Sequence, residues 1–117
     1  MTTFEPRPAE GLNYPNVMQM FQARVRRSPE LTALRSKRDG VWRPMSWREW
    51  EQAGREIAAG LIALCAVAPG DRVALMASTR AEWALCDLGI ALCGAIGVPI
   101  YATSTGPDMA FVLADAG

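Results

Sequence analysis

The sequence of 117 residues is half hydrophobic and carries 12 Lys+Arg against 12 Asp+Glu, with no histidine. That size and composition suit one packed domain rather than a disordered chain or a pair of domains. Zero net charge supplies no long-range field for nucleic acid or an anionic membrane surface, so neither is an expected partner.

Residues 1–15 hold Pro6, Pro8, Pro15 and Gly11, and read as an extended N-terminal arm ahead of a folded unit over 16–117. Asn16 can cap a helix running to about Arg27, with Val17, Met20, Phe21 and Val25 at helical spacing. Ser28-Pro29 ends it, because a residue before proline avoids helical backbone angles. Thr32–Ser36 then reads as a strand, Asp39-Gly40 as a tight hairpin turn, and Val41–Arg43 as the returning strand.

Ser46 and Glu49 have capping-box spacing and open the next helix. Trp47, Trp50, Gly54, Ile57, Ala58, Leu61 and Leu64 form its apolar stripe, and Glu51 can pair with Arg55 one turn later. Pro69-Gly70-Asp71 turns the chain into Arg72–Ala77, a nearly continuous apolar run of the kind found in parallel strands covered on both faces. Ser78 or Thr79 is positioned to cap a helix from Arg80 to about Cys93, which is apolar nearly all round and therefore needs cover on more than one side. Ile96–Tyr101 is the second strand of a βαβ unit, with its parallel pairing expected over Val98–Ala102. Its Pro99 tolerates only a position lacking a ladder donor. Pro107 suits the start of a last helix, from Asp108 to Asp115. The expected fold class is α/β: a three-layer, partly parallel sheet with flanking helices, plus a short N-terminal β-hairpin.

Cys65, Cys86 and Cys93 lie among apolar neighbours. On a helix, Cys86 and Cys93 sit about 10 Å apart along the axis, out of disulfide reach. With no CxxC and no histidine there is no zinc spacing, and the three read as small core residues of a reducing compartment. The opening Met1-Thr2-Thr3-Phe4-Glu5-Pro6 is not a secretory leader, and no stretch approaches the roughly 20 apolar residues of a membrane span. A cytoplasmic chain without a transmembrane segment is expected. Basic residues gather only at Arg24, Arg26, Arg27 and at Arg35, Lys37, Arg38, and both groups read as solvated faces.

Several short motifs occur in a telling order: Ser46-Trp47-Arg48-Glu49, Gly70-Asp71-Arg72-Val73, Glu82-Trp83, and Gly94-Ala95-Ile96-Gly97-Val98-Pro99-Ile100-Tyr101-Ala102-Thr103. Each is weak alone. Their order and spacing over residues 17–117 resemble the N-terminal part of an AMP-forming acyl-CoA synthetase of the adenylate-forming superfamily. Glu82-Trp83 and Tyr101-Ala102-Thr103 favour the long-chain fatty acid–CoA ligase branch. The resemblance implies a parent reaction in which ATP and a carboxylate give an acyl-adenylate, followed by transfer to coenzyme A. ATP, Mg²⁺ and coenzyme A are then cofactors of the parent, whose remainder is the natural partner of this segment.

That chemistry requires a Ser/Thr/Gly-rich phosphate loop with a lysine, an acidic Mg²⁺ ligand and a ribose-binding aspartate, because a triphosphate needs donors, cations and a metal around it. None of those family motifs occurs here, so no catalytic, cofactor-binding or metal-ligating residue is assigned. Ala102-Thr103-Ser104-Thr105-Gly106-Pro107 has hydroxyls and a glycine but no lysine, and Asp108 follows at once. It reads instead as the rim of a substrate pocket, formed by Tyr101, Thr103, Ser104 and Thr105. Asp71, Arg72 and Glu82 read as turn and surface residues.

Two other readings stay open at this stage. One is a free-standing α/β module for protein interaction or ligand binding. The other is a small nucleotide-binding domain, which Ala77-Ser78-Thr79-Arg80 disfavours because no glycine fingerprint follows the strand. In the leading reading the segment alone is a non-catalytic scaffold, truncated at its C-terminal end. Its sheet edge and the apolar helix carrying Trp83, Leu85, Leu88, Ile90 and Leu92 stay uncovered and favour self-association.

Overall fold

The computed structural model describes residues 13–117, so most of the arm expected over 1–15 lies outside the described residues. Eight elements follow in chain order: α1 (Val17–Arg27), β1 (Thr32–Arg38), β2 (Val41–Ser46), α2 (Trp47–Cys65), β3 (Arg72–Met76), α3 (Ala81–Leu92), β4 (Ile96–Ile100) and α4 (Gly106–Ala116). The fold class is α/β, as the sequence predicts. β1 and β2 form an antiparallel hairpin, while β3 and β4 form a separate parallel pair with Arg72 opposite Ile96 and Met76 opposite Ile100.

The local signals act where the sequence places them. Asn16 Oδ1 accepts the Gln19 N–H at 2.8 Å, a cap worth about 1 kcal/mol. Asp39 and Gly40 both take positive φ, 50° and 77°, the geometry that lets a two-residue turn follow the natural twist of the strands. At α2 the capping box closes in both directions: Ser46 N–H to Glu49 Oε2 at 2.7 Å, and Glu49 N–H to Ser46 Oγ at 3.1 Å. β2 runs three residues beyond the expected Arg43 and includes Pro44, which a two-stranded ribbon accommodates because each strand has an open edge.

Packing centres on α2 against α3. Trp47, Trp50 and Phe21 interlock with ring centroids 5.1–5.7 Å apart, each such pair adding about 0.5–1.5 kcal/mol beyond area burial. Arg24 lies 5.4 Å over Trp47, and Arg24, Arg26 and Arg27 occupy the last turn of α1, where cations complement the helix dipole. Further along, Gly54 faces Leu88 and Gly89 faces Ile57 so closely that a Cβ on either glycine would come within 2.6 Å of the opposing side chain. The buried apolar set comprises Val25, Ala58, Leu88, Ile90, Cys93 and Ile100.

α3 packs on β3 and β4 with its other side, since Gly97 faces Ile90 and Asp87. The expectation that α3 stays uncovered is therefore corrected: Leu88 and Ile90 are buried and Trp83, Leu85 and Leu92 half-buried, sandwiched between α2 and the parallel pair. Exposed apolar side chains lie elsewhere and include Met76 and Ile96 on the β3–β4 pair and Phe111 and Leu113 on α4.

Smaller differences concern the end of α2, the start of α1 and the cap of α3. Leu64 is 87% exposed and Cys65 is exposed, because the C-terminal turn of α2 projects past its contact with α3. Val17 and Met20 are exposed in the first turn of α1. Neither Ser78 nor Thr79 caps α3; Arg80 takes the N-cap position, with no side-chain hydrogen bond to the helix.

Candidate functional site

β3 and β4 end side by side, so the residues after Met76 and after Ile100 meet at one edge of the sheet. In open parallel sheets this carboxyl edge is where ligands bind, because backbone loops diverge there and leave a crevice. A groove of about 680 Å³ occupies that edge. One wall is Ala77-Ser78-Thr79-Arg80, the second is Pro99-Ile100-Tyr101-Ala102-Thr103, and the first turn of α3 closes the third side with Trp83 and Ala84.

The groove is mainly apolar, with Ser78, Thr79, Arg80, Tyr101 and Thr103 as its polar lining residues. Its back wall is braced by Trp50, whose indole N–H donates to the Ala84 carbonyl at 3.2 Å. In the same first turn of α3, Glu82 pairs with Arg80 at 2.9 Å and also with Arg38 from β1.

The four residues expected at a pocket rim separate into two pairs. Tyr101 and Thr103 line the groove, and Tyr101 is 85% exposed. Ser104 and Thr105 do not. The Ser104 N–H closes a turn onto the Tyr101 carbonyl at 3.0 Å, while Thr105 Oγ1 accepts the Asp108 N–H at 3.3 Å as the N-cap of α4. A hydroxyl committed to capping a helix is turned away from the crevice.

Ser78, Thr79, Arg80 and Trp83 were not singled out for a site by the sequence. The signal was present: a loop after the first strand of a parallel pair must lie beside the loop after the second. Asp71 and Arg72 hold structural positions, as expected. Asp71 Oδ2 accepts the Ala68 N–H at 2.8 Å, and Arg72 Nε donates to the Ala116 carbonyl at 2.7 Å, tying α4 to β3.

Triphosphate and Mg²⁺ do not fit this crevice. Among the described residues no three His, Cys, Asp or Glu side chains gather as metal ligands. The 102–107 loop carries no lysine, and its Thr105 is already bonded to Asp108. What the groove provides is an apolar slot with hydroxyls at its rim, suited to holding an apolar or aromatic portion of a ligand.

Residues 21–117 match the protein family described as AMP-binding enzyme. The chain belongs to the AMP-binding enzyme family. It is 37% identical over 111 residues to the long-chain-fatty-acid–CoA ligase FadD15 of Mycobacterium bovis, a match covering 95% of this chain and 18% of that protein. Among solved structures it resembles the N-terminal subdomain of Klebsiella oxytoca NpsA bound to 3-hydroxybenzoyl-AMSN, with a TM-score of 0.81 and 26% identity over 96% of this chain and 27% of that one. It also resembles the fatty acid AMP ligase of Legionella pneumophila, with a TM-score of 0.73 and 26% identity over 84% of this chain and 17% of the other. The chain thus spans under a third of each of these AMP-binding relatives. Among the described residues no helix is long and apolar enough to cross a membrane.

Proposed function

We propose that this chain is the N-terminal portion of an ATP-dependent ligase that activates a long-chain fatty acid as its acyl-adenylate and transfers it to coenzyme A in the cytoplasm. The observation that carries the reading is the 37% identity to a long-chain-fatty-acid–CoA ligase across 95% of the chain. The crevice at the carboxyl edge of β3–β4 supports it, since a substrate portion has somewhere to sit. In that enzyme, ATP, Mg²⁺ and coenzyme A are cofactors of the whole ligase, and the rest of the ligase is this segment's partner. The segment supplies a βαβ scaffold and one apolar wall, with Tyr101 and Thr103 at the substrate rim. Separated from its partner, the chain is catalytically inert and self-associates through its exposed apolar face.

The test is a chimera in which this chain replaces the matching segment of the Mycobacterium bovis ligase. With palmitate, Mg-ATP and coenzyme A, the chimera is expected to release pyrophosphate and form the thioester, whereas the 117-residue chain alone gives no pyrophosphate above a blank. A chimera that folds, by circular dichroism, but forms no adenylate with any fatty acid would refute the assignment. Pyrophosphate release by the chain alone would refute the scaffold role.

A further inference from the structure

The β1–β2 hairpin holds Arg35, Lys37, Arg38 and Arg43 against a single acidic residue, Asp39, in a chain whose net charge is zero. Its register sorts these cations by face. Arg35 lies opposite Pro44 and Lys37 opposite Trp42, two positions along, so these four side chains share one face. Leu34 with Met45, Ser36 with Arg43 and Arg38 with Val41 share the other. On that second face Leu34, Ser36 and Met45 are half-buried and Arg38 is held by Glu82 of α3, so it is the face covered by the rest of the fold. All four residues of the first face are exposed.

The solvent face of an antiparallel ribbon is ordinarily polar. This one carries two cations, no carboxylate and the indole of Trp42, which is 61% exposed while Trp47, Trp50 and Trp83 are half-buried. Among the described residues neither Arg35 nor Lys37 enters an ion pair. The Lys37 ammonium stands 5.8 Å from the Trp42 ring but leaves most of the indole in water. Acidic residues elsewhere in the chain do not cancel this patch at contact range, because exposed charges more than about 8 Å apart are largely screened at physiological ionic strength. An open face that combines cations with one indole matches an anionic lipid surface. The cations meet headgroup phosphates, while the indole, an apolar body with a polar N–H, settles at headgroup level. A single-stranded nucleic acid stacks on successive aromatic plates, and this face offers one.

We propose that this face of the hairpin docks the chain on an anionic lipid bilayer, with Arg35 and Lys37 against headgroup phosphates and Trp42 seated in the interfacial layer. The proposal concerns these side chains alone. Its test contains no acyl substrate, so its failure leaves the ligase assignment standing.

The experiment is co-sedimentation of the 117-residue chain with phosphatidylcholine vesicles containing about one-third phosphatidylserine, and with vesicles of phosphatidylcholine alone, tryptophan emission being read on the same samples. Binding to the anionic vesicles is expected, weakening as salt is raised and accompanied by a blue shift. Arg35→Gln and Lys37→Gln should each weaken it about fivefold, the effect of one basic residue near an anionic surface. Trp42→Ala should remove the blue shift, while Arg26→Gln, at an exposed position on α1, leaves binding unchanged. Equal binding to both kinds of vesicle would overturn the proposal and assign the contact to the exposed apolar residues of β4 and α4. Absence of binding to either kind would overturn it too. So would capture of a single-stranded oligonucleotide, without vesicle binding, that depends on Arg35 and Trp42. Arg35→Gln and Lys37→Gln, at exposed strand positions, decide the question even where Trp42→Ala lowers stability.

Discussion

Gly89 and Gly60 both sit inside helices, where alanine is intrinsically better by about 1 kcal/mol, yet their surroundings reverse the outcome at one of them. A Cβ at Gly89 would lie 2.5 Å from Ile57 Cγ2 and 3.2 Å from the Gly54 carbonyl oxygen, whereas Gly60 has nothing within 4 Å. Gly89→Ala should therefore lose about 1–2 kcal/mol once overpacking outweighs propensity, and Gly60→Ala should gain about 0.5–1 kcal/mol. Urea unfolding followed by tryptophan fluorescence checks both, and shifts of the same sign would contradict the packing described. Cys93 makes a second prediction at this scale. Burial desolvates its thiol and raises its pKa, and the S–H points at the Ala58 carbonyl oxygen, 3.5 Å away. The unfolded chain ionises this thiol near pH 8.5 while the folded chain still holds the proton. Its contribution to stability is thus complete below about pH 8.5 and is lost as pH rises through the unfolded value towards the raised folded one. Cys93→Ala should flatten that alkaline slope. Mass spectrometry after brief alkylation should find Cys65 modified first, Cys86 more slowly, and Cys93 only on unfolding.

At the scale of elements, two capping boxes with the same local geometry have different reach. Ser46 starts α2, which packs on α3, α1 and the hairpin, so Ser46→Ala should lower global stability by about 1 kcal/mol. Thr105 starts α4, which packs on β4, with Arg72 joined to its C-terminal turn. Thr105→Ala should chiefly speed hydrogen exchange within α4 and leave the global midpoint nearly unchanged. Equal effects of the two substitutions on the midpoint would show α4 to be part of the same cooperative unit as α2.

For the molecule as a whole, the decisive feature is where apolar surface remains. α3 is enclosed, but Ile96 is 54% and Phe111 72% exposed, and the parallel pair has two open edges. Burying about 500 Å² of such surface contributes on the order of 12 kcal/mol, against association costs of similar size. The isolated chain is expected to be a dimer or larger at micromolar concentration, and Ile96→Lys should move it towards monomer. Sedimentation velocity giving a monomer mass across that range would refute this, and would mean that α4 and the open strand edges are adequately solvated.

What the sequence determined by itself is what a few neighbouring residues can enforce. Asn16, Asp39-Gly40, and Ser46 with Glu49 act within three residues of themselves, so the ends of α1 and α2 and the hairpin turn were legible at once, as were the apolar runs of β3 and β4. The ordered motifs from Ser46 to Thr103 likewise carried the family. Periodicity shows which face of a helix is apolar, however, and not what that face meets or where contact stops. Leu64 and Cys65 continue the stripe of α2 but extend beyond α3, and the apolar α3 is covered on one side by α2 and on the other by the β3–β4 pair. The site divided in the same way. Tyr101 and Thr103 line the crevice while Thr105 turns to cap α4, and Ser78 and Thr79 line it instead of capping α3. Only tertiary structure decides such cases, because a hydroxyl or a guanidinium has several partners within reach of its own loop, and the pairing of β3 with β4 selects among them.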